Sequence, residues 1–222
     1  MRGALRHSLL TACGVEHGFG TRTSGEPAEL LRPRQVHGAA TVTAAQCEAA
    51  AMPEADAVIS ARAAQRIGVM TADCVPILVA NTGGSAVAAI HAGWRGLAAG
   101  VIESGVRSLR EAAGPAEPLV AVIGPHIGPC CYEVDEPVLG PLRVRFGAEL
   151  ESATRPSLPG RALLDLGALT QRALCDAGVE PGSLGAIRDA CTRCDAERFH
   201  SYRRDGSRSG RLFHFIAACP EA

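Results

Sequence analysis

The sequence predicts a mixed-sheet fold of the α/β or α+β class, and three observations lead there. Short apolar runs with strand character come singly between stretches of helical periodicity. One pair of such runs, 76–81 and 85–91, is separated by Gly83 and Gly84, a hairpin signal. Finally, 222 residues with 47% hydrophobic and 20% charged positions suit one domain, 1–222, able to bury roughly 70% of its unfolded surface. With only five Phe, two Tyr and one Trp, its core has to be largely Ala, Val, Leu and Ile.

The elements follow in order. An N-terminal piece carries turn residues at 18–27; RPRQVHG and an Ala-rich stretch then lead to ADAVIS, which reads as a strand. Next comes the hairpin, in IGVMTADCVPILVANTGGSAVAAIHAGWRG. A two-residue loop puts Cys74 on the same face as His91, directly opposite or on the diagonal, with Cβ atoms about 4.5–8 Å apart. Pro76 has no N–H to give, so it is expected at a strand start or on an edge. In GLAAGVIESGVRSLREAAG, Leu97, Val101, Val106 and Leu109 recur at helical spacing until Gly114 and Pro115 end the pattern. Free N–H groups at Gly96 and its next two neighbours would face the hairpin's end and suit an anion such as phosphate. LVAVIG (119–124) reads as a buried strand, GPHIGPCCYEV as a compact turn, and 135–146 as a helix. Residues 154–160 read as a loop, LLDLGALTQRALCDAG (163–178) as a helix, and the end of GRLFHFIAAC as a strand.

Charge excludes some partners. A formal net charge of −1 gives no general attraction to nucleic acid or anionic lipid, and no apolar run approaches the roughly 20 residues of a membrane span. Nine cysteines, an odd number without a disulfide-scaffold pattern, point to a reducing, cytoplasmic setting.

His37, Cys74 and His91 come from distant segments. Read bottom-up they are either unrelated residues or three ligands with a fourth position open, which is how catalytic zinc is held. Asp73, beside Cys74, and Arg95, four residues past His91, would share that site as acid/base and anion clamp. Cys130 and Cys131 sit in a tight turn that is pocket wall or plain packing. Cys191-Thr192-Arg193-Cys194 is a lone CxxC without a visible second pair, and reads as chance. The arginines around Asp205 and Gly206 read as a solvated turn. Seven histidines with no H-x-H pair exclude a multicopper centre.

TADCVPILVA, AAIHAGWRGLAAGV, AVIGPHIGPCCYEV and SYRRDG…GR strongly resemble the YfiH family, once called multicopper polyphenol oxidases or laccases, from HGFGTR at 17–22 onward. The resemblance implies zinc on His37 of QVHG, Cys74 of TADC and His91 of HAGWRG, with copper possible only outside a multicopper centre. It implies a mixed-sheet α/β sandwich with flanking helices, shared with cytotoxic-necrotising-factor-type deamidases. The implied activity is phosphorolysis of adenosine, inosine, guanosine and methylthioadenosine, with adenosine deamination beside it, in a monomer or homodimer. On that reading Arg95 and Gly96 face phosphate, Asp73 transfers a proton, and Cys130, Cys131 and Tyr132 wall the pocket. The chain departs from the family in a shortened stretch between Gly25 and Arg32, in His200 where relatives carry an aromatic, and in the extra Cys194. Three other readings stand: a metal-free cysteine hydrolase using Cys74 and His91, a peptidoglycan-editing amidase acting on a UDP-MurNAc–amino acid, and a zinc-stabilised binding module.

Overall fold

The computed structural model describes residues 3–49 and 52–219. The chain opens with helix α1 (Ser8–Ala12), strand β1 (Glu16–Gly18), strand β2 (Thr41–Thr43) and helix α2 (Ala44–Ala49). Four strands follow: β3 (Ala57–Ser60), β4 (Ile67–Thr71), β5 (Val75–Asn81) and β6 (Val87–Ala92). Helices α3 (Trp94–Ala99) and α4 (Val101–Ala113) precede β7 (Leu119–Ile123) and β8 (Glu133–Asp135). Helices α5 (Glu136–Phe146) and α6 (Ala148–Ser152) lead to β9 (Thr154–Pro156) and β10 (Arg161–Leu164). The chain closes with α7 (Leu166–Asp176), β11 (Leu184–Ala186), α8 (Tyr202–Asp205) and β12 (Leu212–Ala217).

A six-stranded mixed sheet, ordered β11-β7-β5-β6-β3-β2, forms the middle layer. Its central strands β5, β6 and β7 are buried at every position, because both faces are covered. On one face Ile77, Val79, Ala88 and Ile90 pack against Leu97, Val106, Leu109 and Leu169 from the helices. On the other face Leu78, Ala80, Val87 and Ala89 pack against Ile67, Val69 and Ile216 of a second sheet, ordered β1-β12-β4. The result is a sandwich of two sheets with helices flanking the larger one. A third, small antiparallel sheet, β8-β10-β9, lies beside α5. Among the described residues no helix is long and apolar enough to cross a membrane.

The hairpin has the anticipated register, since β5 and β6 are antiparallel with Pro76 opposite His91, but its loop is longer than two residues. Pairing ends at Ala80 and Val87, and a turn in which the Gly84 N–H donates to the Asn81 carbonyl lies between. Pro76 itself departs from expectation, since β5 is a central strand. It is tolerated because β7 ends at Ile123. Gly124 still donates its N–H to the Pro76 carbonyl at 2.8 Å. The Gly124 carbonyl, which a residue with an N–H would have engaged, accepts from His126 Nδ1 at 2.8 Å instead.

Three other boundaries move. The helical pattern of 96–114 is two helices, broken at Gly100 with φ +88, and it begins at Trp94 after an N-cap at Gly93. Leu163 and Leu164 belong to β10, and α7 starts after Asp165, whose side chain accepts the Ala168 N–H. Part of the 154–160 loop is β9.

Candidate active site

β4 and β5 lie in different sheets, so the chain crosses a corner of the sandwich in residues 72–74. So short a crossing leaves Asp73 at φ +92, a region non-glycine residues avoid. Cys74 arrives one residue before β5 on the His91 diagonal, as the hairpin requires. A third segment brings in His37, also left-handed at φ +61. Two strained residues at one corner point to function, since each such conformation costs about 1–3 kcal/mol and has to be held by its surroundings.

Asp56 does the holding. It is fully buried just ahead of β3. Its Oδ1 accepts from His91 Nδ1 at 2.7 Å and from the His37 N–H at 3.0 Å. Oδ2 accepts the N–H groups of Gly38 at 2.6 Å and Val36 at 3.2 Å. Burial alone would raise this carboxyl's pKa, but the His91 hydrogen bond and the backbone donors outweigh it and keep the pKa below the usual range. The sequence reading missed Asp56. The available signal was an acidic residue inside the apolar run ADAVIS, which a buried strand cannot leave unpartnered.

Burial pulls the His91 imidazole down, yet its bonds to Asp56 and Cys74 win and hold its pKa at about 9. Burial pushes the Cys74 thiol up, yet His37 and His91 bring it down to about 6. The metal-free corner therefore favours a thiolate facing an imidazolium.

The three side chains fit a metal. Their donor atoms lie within 4.8 Å of one another, with Cys74 Sγ 4.0 Å from His37 Nε2 and the two imidazoles edge to face at 4.9 Å. Asp56 occupies His91 Nδ1, which leaves Nε2 as the free donor. A Cβ on Gly93 would fall 3.0 Å from His37 Cδ2 and 3.1 Å from Cys74 Sγ, so the glycine keeps the space between the donors clear. Two imidazoles and a thiolate are a zinc-type donor set.

The corner opens into a cavity of about 530 Å³. Arg95, Arg203 and Arg211 line it, and among the described residues none of the three forms an ion pair. Arg95 lies over the Trp94 ring at 4.5 Å and Arg203 over the Tyr132 ring at 5.1 Å. The basic segment read as a solvated turn thus supplies two of the three cavity guanidinium groups. Tyr132 stays protonated, pushed up to about 12 by burial and by the charge of Cys74. Asp73 is at the cavity, but its Oδ1 accepts from Thr192 Oγ1 at 2.5 Å and its Oδ2 from the Arg203 N–H at 2.6 Å. It fastens the C-terminal segment to this corner.

The other anticipated wall residues lie elsewhere. Gly96 is buried under the Gly38 carbonyl, where a Cβ would come within 2.9 Å, because the helix starts two residues earlier than expected. Its place is structural contact with the His37 loop. Cys130 and Cys131 are not cavity-lining residues; their turn aims them at Cys191 and Cys194.

Known proteins share this architecture. A family model described as multi-copper polyphenol oxidoreductase laccase matches residues 18–219. A purine nucleoside phosphorylase of Pseudomonas aeruginosa is 43% identical over 183 residues, which cover 82% of this chain and 71% of that protein. Purine nucleoside phosphorylase YlmD of Geobacillus stearothermophilus is 38% identical over 192 residues, covering 82% and 69%. The crystal structure of that YlmD superposes with a TM-score of 0.85 over 99% of this chain and 97% of the other, at 28% identity. Adenosine deaminase RL5, from an unknown prokaryotic organism, is 30% identical over 193 residues, covering 83% and 73%. On a match that spans nearly its whole length, and on relatives this similar, the chain belongs to the multi-copper polyphenol oxidoreductase laccase family, the YfiH family.

Proposed function

We propose that this protein is a zinc-dependent purine nucleoside phosphorylase acting on adenosine, inosine, guanosine and methylthioadenosine, with adenosine deamination as a second activity. The observation that carries the reading is that the His37, Cys74 and His91 donors and three guanidinium groups, which form no ion pair among the described residues, open into one cavity of nucleoside size. The names of the relatives support the same chemistry.

In phosphorolysis a phosphate oxygen bonds to C1′ of the ribose as the C1′–N9 bond breaks and the purine leaves with a proton. Arg95, Arg203 and Arg211 supply the charge that holds phosphate in place, and the protonated Tyr132 offers a hydrogen bond to substrate. In deamination, water adds at C6 and ammonia leaves. A zinc ion held by His37, Cys74 and His91 would supply Lewis acidity and bring the pKa of water down to about 7. Asp73 acts here as a positioning residue, because both of its oxygens are engaged.

The test is to incubate metal-quantified protein with adenosine, with and without phosphate, and to identify the products by mass spectrometry. Phosphate-dependent adenine and ribose-1-phosphate are expected, with some inosine. Zinc-loaded protein that turns over no nucleoside sinks this reading and moves it to the amidase on a UDP-MurNAc–amino acid. Cys74→Ala removes metal and activity together; a zinc-loaded, active variant would refute the ligand assignment.

One observation favours a second reading. A Cys74 thiolate facing a charged His91 is also the resting state of a cysteine hydrolase. Chelation separates the two, since a cysteine nucleophile survives metal removal and is lost to alkylation.

A further inference from the structure

A second donor cluster lies outside the cavity. Cys130, Cys131, Cys191 and Cys194 bring their four sulfurs within 4.8 Å of one another. Cys194 Sγ lies 3.5 Å from Cys130 Sγ and 3.3 Å from Cys131 Sγ. A tetrahedron of Zn–S bonds of about 2.3 Å sets its sulfurs about 3.8 Å apart, so the cluster needs little movement to close on an ion. A disulfide would use one pair of these sulfurs and leave the others facing it; a metal uses all four. We propose that Cys130, Cys131, Cys191 and Cys194 form a second, structural metal site that takes Zn²⁺ as a tetrathiolate.

The surroundings are built for it. Both cysteine pairs sit in tight backbone turns: the Gly128 carbonyl accepts the N–H groups of Cys131 and Tyr132 at 3.0 and 3.1 Å, and the Cys191 carbonyl accepts the Asp195 N–H at 3.1 Å. Turns of this kind let near neighbours in sequence point at one ion. The Gly128 N–H donates to Cys191 Sγ at 3.2 Å, and a Cβ at Gly128 would lie 3.4 Å from Cys130 Sγ, so donor and space are both present at the sulfurs. The Arg193 side chain lies near the Cys131 sulfur. Its positive charge offsets the excess negative charge that four thiolates bring to a divalent ion. Binding exchanges thiol protons for the metal and changes no oxidation state.

With all four positions filled by protein, this ion would leave no open position and would act as a staple. It joins the turn carrying Tyr132 to the segment carrying Thr192. Those two residues face the cavity and clasp Asp73, respectively. The site therefore fixes the cavity wall from behind without touching substrate.

The experiment is metal analysis of full-length protein purified under reducing conditions. Wild type should carry about two equivalents of zinc, and Cys130→Ala/Cys194→Ala, which alters two exposed residues, about one. A second measurement uses Cys74→Ala, in which the other site is disabled. Loaded with cobalt(II), it should show strong sulfur-to-cobalt charge-transfer absorption and the visible bands of tetrahedral cobalt. Wild type with one equivalent that the double variant retains, or reduced Cys74→Ala that gives no such absorption, would overturn the proposal. Neither readout depends on turnover, so the proposed activity can fail while this site stands.

Discussion

At His91 the choice of tautomer belongs to Asp56, and one carboxylate carries consequences for two ligands. It aims the His91 ring and holds the left-handed His37 loop by backbone donors. Asp56→Asn should weaken metal binding about 10–100-fold in a competition with a chromophoric chelator; unchanged affinity would leave Asp56 a purely structural role. His214 offers a different test. Fully buried between Thr71 and Gly20, its imidazole is pushed down by burial to about 3. The unfolded chain, with a histidine near 6.5, binds a proton that the folded chain refuses between those values. Stability should therefore be full above that range and fall on acidification, by up to about 1.4 kcal/mol per pH unit from this group. His214→Gln should flatten that slope in denaturant titrations run from about pH 7 to about pH 5; an identical slope would show that His214 is not the responsible group. The motif residues at this scale were legible in the sequence. Asp56 showed there only as an acidic residue in an apolar run, and its partners could not be read because they lie on a loop and a strand remote from it in the chain.

The elements show where side-chain periodicity misleads. Leu97 and Val101 keep helical spacing across Gly100, so the pattern runs through a position where the backbone reverses hand. Periodicity counts apolar side chains and is blind to the sign of φ. Leu163 and Leu164 were drawn into the next helix for the same reason, although Asp165 stood ready as its N-cap. Gly93 joins the element scale to the site. Its φ of −75 suits alanine, so Gly93→Ala should leave far-UV circular dichroism unchanged, while the new Cβ crowds His37 and Cys74. Crowding of about 1–3 kcal/mol translates into metal affinity weaker by about 5- to 150-fold. Calorimetric titration of the apoprotein with zinc checks it; wild-type affinity would mean the donors move freely out of the way.

For the whole molecule, the mixed sheet was legible from the alternation of strands and helices, and its distribution over three sheets was not. A chain that changes sheets within residues 72–74 leaves no local mark, since both flanking runs read as strands in either arrangement. The same holds for the cysteines: each pair looked isolated until the fold set a turn near 130 against a segment near 192. Layering also predicts how the molecule opens. β5 and β6 are covered on both faces, whereas β9 is exposed or half-buried throughout. Native-state hydrogen exchange should find β5 and β6 opening only with global unfolding and the β8-β10-β9 sheet opening earlier; equal protection in both would make the chain one cooperative unit. Pro76 adds a last consequence. Sliding β7 by two residues would set the imino acid against the Val122 carbonyl in mid-ladder, leaving a buried acceptor empty at a cost of about 1–3 kcal/mol. The proline is thus an alignment key: it admits one register between the two strands, and every donor at the corner is indexed to it.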